Sequence, residues 1–168
     1  MHERTHCDIF AFDMTVDGVA GAAATLPRVT VWKMGLGAAP GEKNGMPITS
    51  LAEIMKKYGH TFIDVLKIDV EYSEVDIIPE LMKSPDPPFE QLLLEVHHWN
   101  SDRKAVWGVF ESLQARNILP FMNENNHNPS VIGHGPIVCE YSFYNAKYWF
   151  DANRAWNLHD WLGTSPDA

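Results

Sequence analysis

The sequence predicts an α/β protein built on a doubly wound, mostly parallel sheet, and three observations carry that expectation. Short apolar, β-branched runs alternate with segments of helical periodicity along most of the chain, as strands joined by crossover helices require. The run from Phe62 to Val70 is apolar except at Asp64, Lys67 and Asp69, the pattern of a strand covered on both faces. A length of 168 residues with 45% hydrophobic content suffices for one domain with a real core and hardly for two.

Asp8 to Asp13 is short, apolar and aromatic, a strand that ends in acid. Met14 to Arg28, rich in Gly and Ala with Pro27 near its end, reads as a weak helix or loop. Val29 to Met34 has the β-branched residues of a second strand, stopped by Gly35-Leu36-Gly37. Ala38 to Pro47, punctuated by Pro and Gly, reads as a surface loop. Ser50 and Glu53 form a capping box, and Leu51, Ile54, Met55 and Tyr58 follow with helical spacing before Gly59, the clearest helix signal in the chain. After the strand at 62–70, Ser73 with Asp76 suggests a second capped helix, kinked or restarted at Pro79 and ended by Ser84 to Pro88.

Gln91 to Val96 is the next strand. Val106, Val109, Phe110 and Leu113 mark an amphipathic helix begun near Asn100 or Ser101 and stopped at Asn117. Leu119 to Met122 reads as a short strand, Asn123 to Pro136 as loop, and Ile137 to Tyr144 as a last strand that leaves room for an antiparallel final hairpin. Residues 1–146 form the domain in this reading. Residues 147–168 form a tail whose Trp149, Trp156 and Trp161 cover the core at a sheet edge.

Charge narrows the function classes. Thirteen basic residues against 22 acidic ones give a net charge of -9, which repels phosphate backbones and anionic membranes, so no nucleic acid and no membrane partner is expected. Gly18 to Leu26 is far too short to span a bilayer, and Met1 to His6 lacks the apolar region of a secretory signal, which makes a cytoplasmic location the default. Cys7 and Cys139 fall in strands and are expected as free thiols.

Open α/β sheets bind ligands outside the carboxyl ends of their strands, where Asp69 and Glu71 fall. Two apart, they share a face if the strand continues through them, and either carboxylate could take up a proton or stabilise a nearby cation. The plainer alternative makes Asp69 a helix cap and Glu71 a partner for lysine. His97 and His98 follow Glu95, and a neutral imidazole there is a candidate general base. Adjacent strand residues point to opposite faces, so these two histidines cannot readily share one ion, and no metal is expected. His127 and His134, in an Asn-rich stretch, read as solvated.

The string Leu66 to Glu74, LKIDVEYSE, resembles the fourth-strand motif of FkbM-type S-adenosylmethionine-dependent methyltransferases, whose usual form is Lys-Ile-Asp-Val-Glu-Gly. Cys7 to Asp13 resembles that family's second strand, Leu92 to Trp99 its fifth, and Cys139 to Phe143 a late strand of a methyltransferase-like subgroup. The resemblance covers most of residues 7–145. It implies a Rossmann-like class I methyltransferase sheet, S-adenosylmethionine as cofactor, and methyl transfer to a hydroxyl of a small molecule or glycan. It also implies catalytic roles for Asp69, Glu71 and His97. Cofactor contacts would fall to Asp13, which would accept hydrogen bonds from ribose hydroxyls, to Gly35, Leu36 and Gly37 near the adenine, and to Asp69. Two departures stand out: Tyr72 occupies a position where many members have Gly, and no Gly-rich motif precedes Cys7. The second departure implies a sheet lacking its first strand and glycine loop, with weak cofactor binding or a non-catalytic interaction module as the alternative to an enzyme. It further predicts that the 8–13 strand pairs directly and in parallel with the 62–70 strand, or that another segment enters between them.

Overall fold

The computed structural model describes residues 5–16, 26–98, 102–125 and 138–149. The chain is mixed α/β, as predicted, with its strands in three ladders. β1 (Ile9–Phe12) pairs in parallel with β2 (Val29–Trp32). β3 (Gly35–Leu36), β4 (Gly41–Lys43) and β5 (Met46–Thr49) form a small sheet in the order β3-β5-β4. After α1 (Leu51–Tyr58) come β6 (Ile63–Ile68), α2 (Glu74–Leu81), β7 (Phe89–His97), α3 (Arg103–Gln114), β8 (Ile118–Asn125), β9 (Val138–Asn145) and the short α4 (Ala146–Trp149). Their sheet has the order β6-β7-β9-β8, parallel between β6 and β7 and antiparallel in its last two pairings. The core lies under β7, whose Leu92, Leu94 and Val96 are fully buried together with Ile78 of α2 and Val109 of α3.

Local chemistry sets these boundaries. Ser50 Oγ accepts from the Glu53 amide at 3.3 Å, and Gly59 closes α1 at φ 71°, a left-handed conformation that costs glycine little. The 38–47 stretch is not simply loop: β4 and β5 make a hairpin turned by Asn44 (φ 54°) and Gly45 (φ 76°). Two consecutive positive φ values define the turn that Asn-Gly favours, a signal the punctuation reading passed over. At α2 the expected capping box is absent. Ser73 makes no side-chain cap, its Oγ accepting from Lys43 Nζ at 2.7 Å instead, and the helix runs through Pro79 as one piece. Asp102 caps α3, Oδ1 accepting from the Ala105 amide at 3.0 Å, while Asn117 at φ 56° follows its end.

β8 is longer than predicted. Asn123, Glu124 and Asn125 pair with Tyr141, Glu140 and Cys139, because an edge strand tolerates polar side chains once its neighbour supplies the ladder. The expectations for His127, His134, Trp156 and Trp161 lie outside the described residues. In α4, Tyr148 packs edge-on against Phe62 at 4.8 Å, its hydroxyl donating to Asp86 at 2.7 Å. Cys7 and Cys139 are free thiols, and no helix among the described residues is long and apolar enough to cross a membrane.

The predicted pairing of the first strand is overturned. β1 bonds to β2 rather than to β6, and β6 has β7 as its one strand neighbour among the described residues. The expectation treated the edge of β6 as buried, yet Asp64 and Lys67 are exposed along it, so water can serve amides that would be costly only if sealed from solvent. Ring contacts tie β1 to the rest instead: Phe10 lies 5.5 Å from Tyr58 and 4.5 Å from His60, and Trp32 of β2 lies 5.4 Å from Tyr58.

Candidate active site

β6 stops at Ile68, which is in register with Leu94, so Asp69 emerges beside Glu95. The chain then turns sharply, with Glu71 at φ 53° and Tyr72 at φ 77°. Asp69 and Glu71 therefore do not share the face of a continuing strand. The left-handed conformation at Tyr72 accounts for the glycine that the resemblance leads one to expect there. The turn brings Glu71 Oε2 to 3.5 Å from His97 Nε2.

His97 closes β7 and is 2% exposed. Its backbone amide donates to Glu74 Oε1 at 2.6 Å, and its Nδ1 lies 2.9 Å from the same oxygen. A carboxylate only accepts, so Nδ1 carries the proton and Nε2 faces Glu71. Burial pulls the His97 pKa down, but the hydrogen bond and charge of Glu74, with Glu71 and Glu95 behind it, outweigh burial and leave it raised. Partial burial raises the Asp69 pKa, and the hydrogen bond and charge of Glu95 push the same way against Lys67 and His97. One oxygen of Asp69, one of Glu95 and one ring nitrogen of His97 lie within 4.8 Å of one another.

Two members of this cluster were not singled out from the sequence. Glu95 shares the His97 face of β7 by simple alternation, but its closeness to Asp69 depends on the register between two strands. Glu74 is fully buried, and a signal for it existed: with Ile77, Ile78 and Leu81 it completes the i, i+3, i+4, i+7 stripe of α2, where an acid is out of place unless it has a partner.

His98 diverges from His97, as strand alternation predicts. With Arg103, Val106, Trp107, Phe110 and Tyr141 it lines a cavity of about 480 Å³, and burial lowers its pKa.

The proposed cofactor residues gather elsewhere. Asp13, just past β1, is exposed, and its Oδ1 accepts from the Thr15 hydroxyl at 2.6 Å and the Thr15 amide at 2.7 Å. The first of these bonds, then the second, holds its pKa below the usual value. Gly35 is close by, since a Cβ there would lie 2.1 Å from Met14 Cε, and Leu36 packs against the main core. At Gly37 a Cβ would lie 3.0 Å from Ile48 Cδ1, and its amide donates to the Thr49 carbonyl at 2.9 Å. An exposed acid at a strand end fits a ribose diol. The two glycines fit an adenine less well, because Met14 and Ile48 already fill the space beside them.

A parallel pair of strand ends carrying acids and an imidazole, on a mixed sheet covered by helices, is the frame of an α/β transferase. The sequence matches the methyltransferase FkbM domain over residues 22–129, well over half of the chain, and the protein belongs to that family of methyltransferases. The matched segment runs from ahead of β2 to just past β8 and contains every residue of the Asp69 cluster. No curated protein matches the chain significantly.

Proposed function

We propose that the protein transfers a methyl group from S-adenosylmethionine to a hydroxyl of a small molecule or glycan, with Asp69, Glu71 and His97 at the reacting end. The observation that carries this reading is the Glu71–His97–Glu74 relay at the carboxyl ends of β6 and β7, within the segment that matches the family. The ladders agree with it: β1-β2 and β6-β7-β9-β8 correspond to what a class I methyltransferase sheet holds on either side of its first strand.

S-adenosylmethionine supplies an electrophilic methyl group on a sulfonium, so the protein has to align an oxygen nucleophile and accept its proton. His97 Nε2 is placed for that proton. Glu74 fixes the tautomer through Nδ1 and stabilises the imidazolium that forms, while Glu71 holds the ring from the other side. Asp69 sets negative charge near the sulfonium, and Asp13 takes the ribose hydroxyls. A cytoplasmic protein with neither nucleic acid nor membrane as partner completes the reading.

Transfer of labelled methyl from S-adenosylmethionine to a panel of polyols and glycans tests it. Asp13→Ala should mainly raise KM for the cofactor, and Glu71→Gln should mainly lower kcat. Equal and negligible effects from both would sink the assignment. Met14 beside Gly35 favours a second reading, an interaction module without a working cofactor site. Calorimetry separates the two: micromolar affinity for S-adenosylmethionine speaks for the enzyme, and no measurable heat for the module.

A further inference from the structure

We propose that Asp69, Glu95 and His97 form a divalent-cation site, suited to an ion of the Mn²⁺ and Mg²⁺ class. The sequence argued against metal because His97 and His98 face opposite ways. That holds for the pair, but the site needs only His97, joined by acids from the end of β6 and from β7 itself.

Three features support the site. The first is donor geometry: the candidate ligand atoms of Asp69, Glu95 and His97 lie within 4.8 Å of one another, a span that one ion bridges at ordinary metal–ligand distances.

The second is the orientation of the imidazole. Metal-bound histidines usually give their other ring N–H to a carboxylate, which fixes the tautomer. Glu74 does this at 2.9 Å through Nδ1, which makes Nε2 the ring nitrogen that would face an ion. The surroundings are tight, since His97 is 2% exposed, Glu95 7% and Glu74 0%.

The third is charge, and it is independent of the donor geometry. Glu74 Oε2 is buried with no hydrogen-bond partner, an acceptor facing the inside of the protein. Around the same ring stand Asp69, Glu71 and Glu95, and Glu95 is directly opposite Glu140, which is in turn opposite Glu124. Like charges facing each other across a sheet are destabilising. Lys67, whose charge acts on Asp69, has its Nζ 3.6 Å from Glu140. Several carboxylates gathered beside an oriented, buried imidazole are what a divalent cation would neutralise.

Carboxylate oxygens with one imidazole and no thiolate select a hard to borderline ion, and a site with few protein ligands leaves positions for water or substrate oxygen. Those positions suit two neighbouring hydroxyls of an acceptor. That acceptor class rests on the methyl-transfer reading, whereas the cation site does not; with an ion on His97 Nε2, the acceptor hydroxyl would be made acidic by the cation in place of the imidazole's proton uptake.

The full chain, stripped with a chelator, is titrated with MnCl₂ while free Mn²⁺ is followed by electron paramagnetic resonance. The expected result is one ion per chain, bound at least tenfold more weakly by Asp69→Asn and by Glu95→Gln and unchanged by Asp86→Asn. Circular dichroism identifies variants that have simply unfolded. Because Asp69 is exposed, Asp69→Asn is the decisive variant should Glu95→Gln fail to fold. Thermal melting supplies a second readout, as Mn²⁺ should raise Tm in the parent chain and not in Asp69→Asn. Absence of stoichiometric binding, or binding indifferent to Asp69→Asn, overturns the proposal. Binding without any methyl transfer would leave the site standing and remove the catalytic reading.

Discussion

Glu74 contributes more through what it satisfies than through its own charge. Its Oε1 answers both the amide and the ring N–H of a histidine that water does not reach. Glu74→Ala strands two buried donors and should cost about 2–5 kcal/mol, read from urea unfolding, whereas Glu74→Gln keeps an acceptor and should cost less. Equal losses would mean that packing, not hydrogen bonding, dominates at this position. Tyr72 allows a cleaner comparison because its φ of 77° suits glycine. Tyr72→Ala loses the ring and keeps the strain, while Tyr72→Gly loses the ring and relieves it, so the Gly variant should be the more stable by about 1 kcal/mol. Asp86 gives a pH effect with a definite sign. The hydrogen bond from Lys147 Nζ, then that from Tyr148, holds its pKa below the usual carboxylate value. A carboxyl depressed on folding adds stability above its unfolded pKa and loses it as pH falls through the folded one. The Tm gap between parent and Asp86→Asn should therefore be present at neutral pH, small because the pair is exposed, and be lost in acid as the pH falls through the lowered folded pKa. A gap that widens in acid would refute this origin.

Elements with their own stop and start signals were legible in the sequence, and those shaped by partners were not. α1 carried a Ser cap, an apolar stripe and a terminal glycine, and all three are realised. Ser50→Ala should cost about 1 kcal/mol through the lost Glu53 bond, and Gly59→Ala a similar amount through backbone strain alone, since nothing lies within 4 Å of a Cβ there. Chemical denaturation of the two single variants and the double one tests this, with near-additive costs expected because the caps share no partner. The misses have a common cause. Ser73 looked like a cap, but Lys43 claims its hydroxyl from a hairpin 30 residues away. Asn123 to Asn125 looked like loop, yet pairing with β9 makes them strand. The site divides the same way. Asp69, Glu71 and His97 were visible as acids and an imidazole at strand ends, whereas the contact of Glu71 with His97 requires a positive φ at Glu71, and Glu95 becomes relevant only through the β6–β7 register.

At the scale of the whole molecule, the strands differ in how much of their hydrogen bonding is shielded. β7 has neighbours on both sides and seven of its nine residues are buried, with Phe89, Leu92 and Leu94 0% exposed, so its amides open only when the main sheet does. Among the described residues β1 and β2 pair only with each other, their residues at most half-buried, and they are held to α1 by rings around Tyr58. A two-stranded ladder has little stability of its own, so it should open without the rest. Native-state hydrogen exchange should therefore separate two classes, with the amides of Leu92, Leu94 and Val96 slowest and approaching the global unfolding free energy, and those of Ile9 to Phe12 and Val29 to Trp32 faster. Tyr58→Ala sharpens the test, because Tyr58 touches Phe10, Phe12 and Trp32 at ring-centroid distances of 5.5, 6.4 and 5.4 Å. If the rings are what hold the small ladder, this substitution should accelerate exchange in β1 and β2 well beyond any change in β7. Uniform acceleration across both ladders would show instead that they unfold as one unit, and that the bond between them runs deeper than the aromatic contacts.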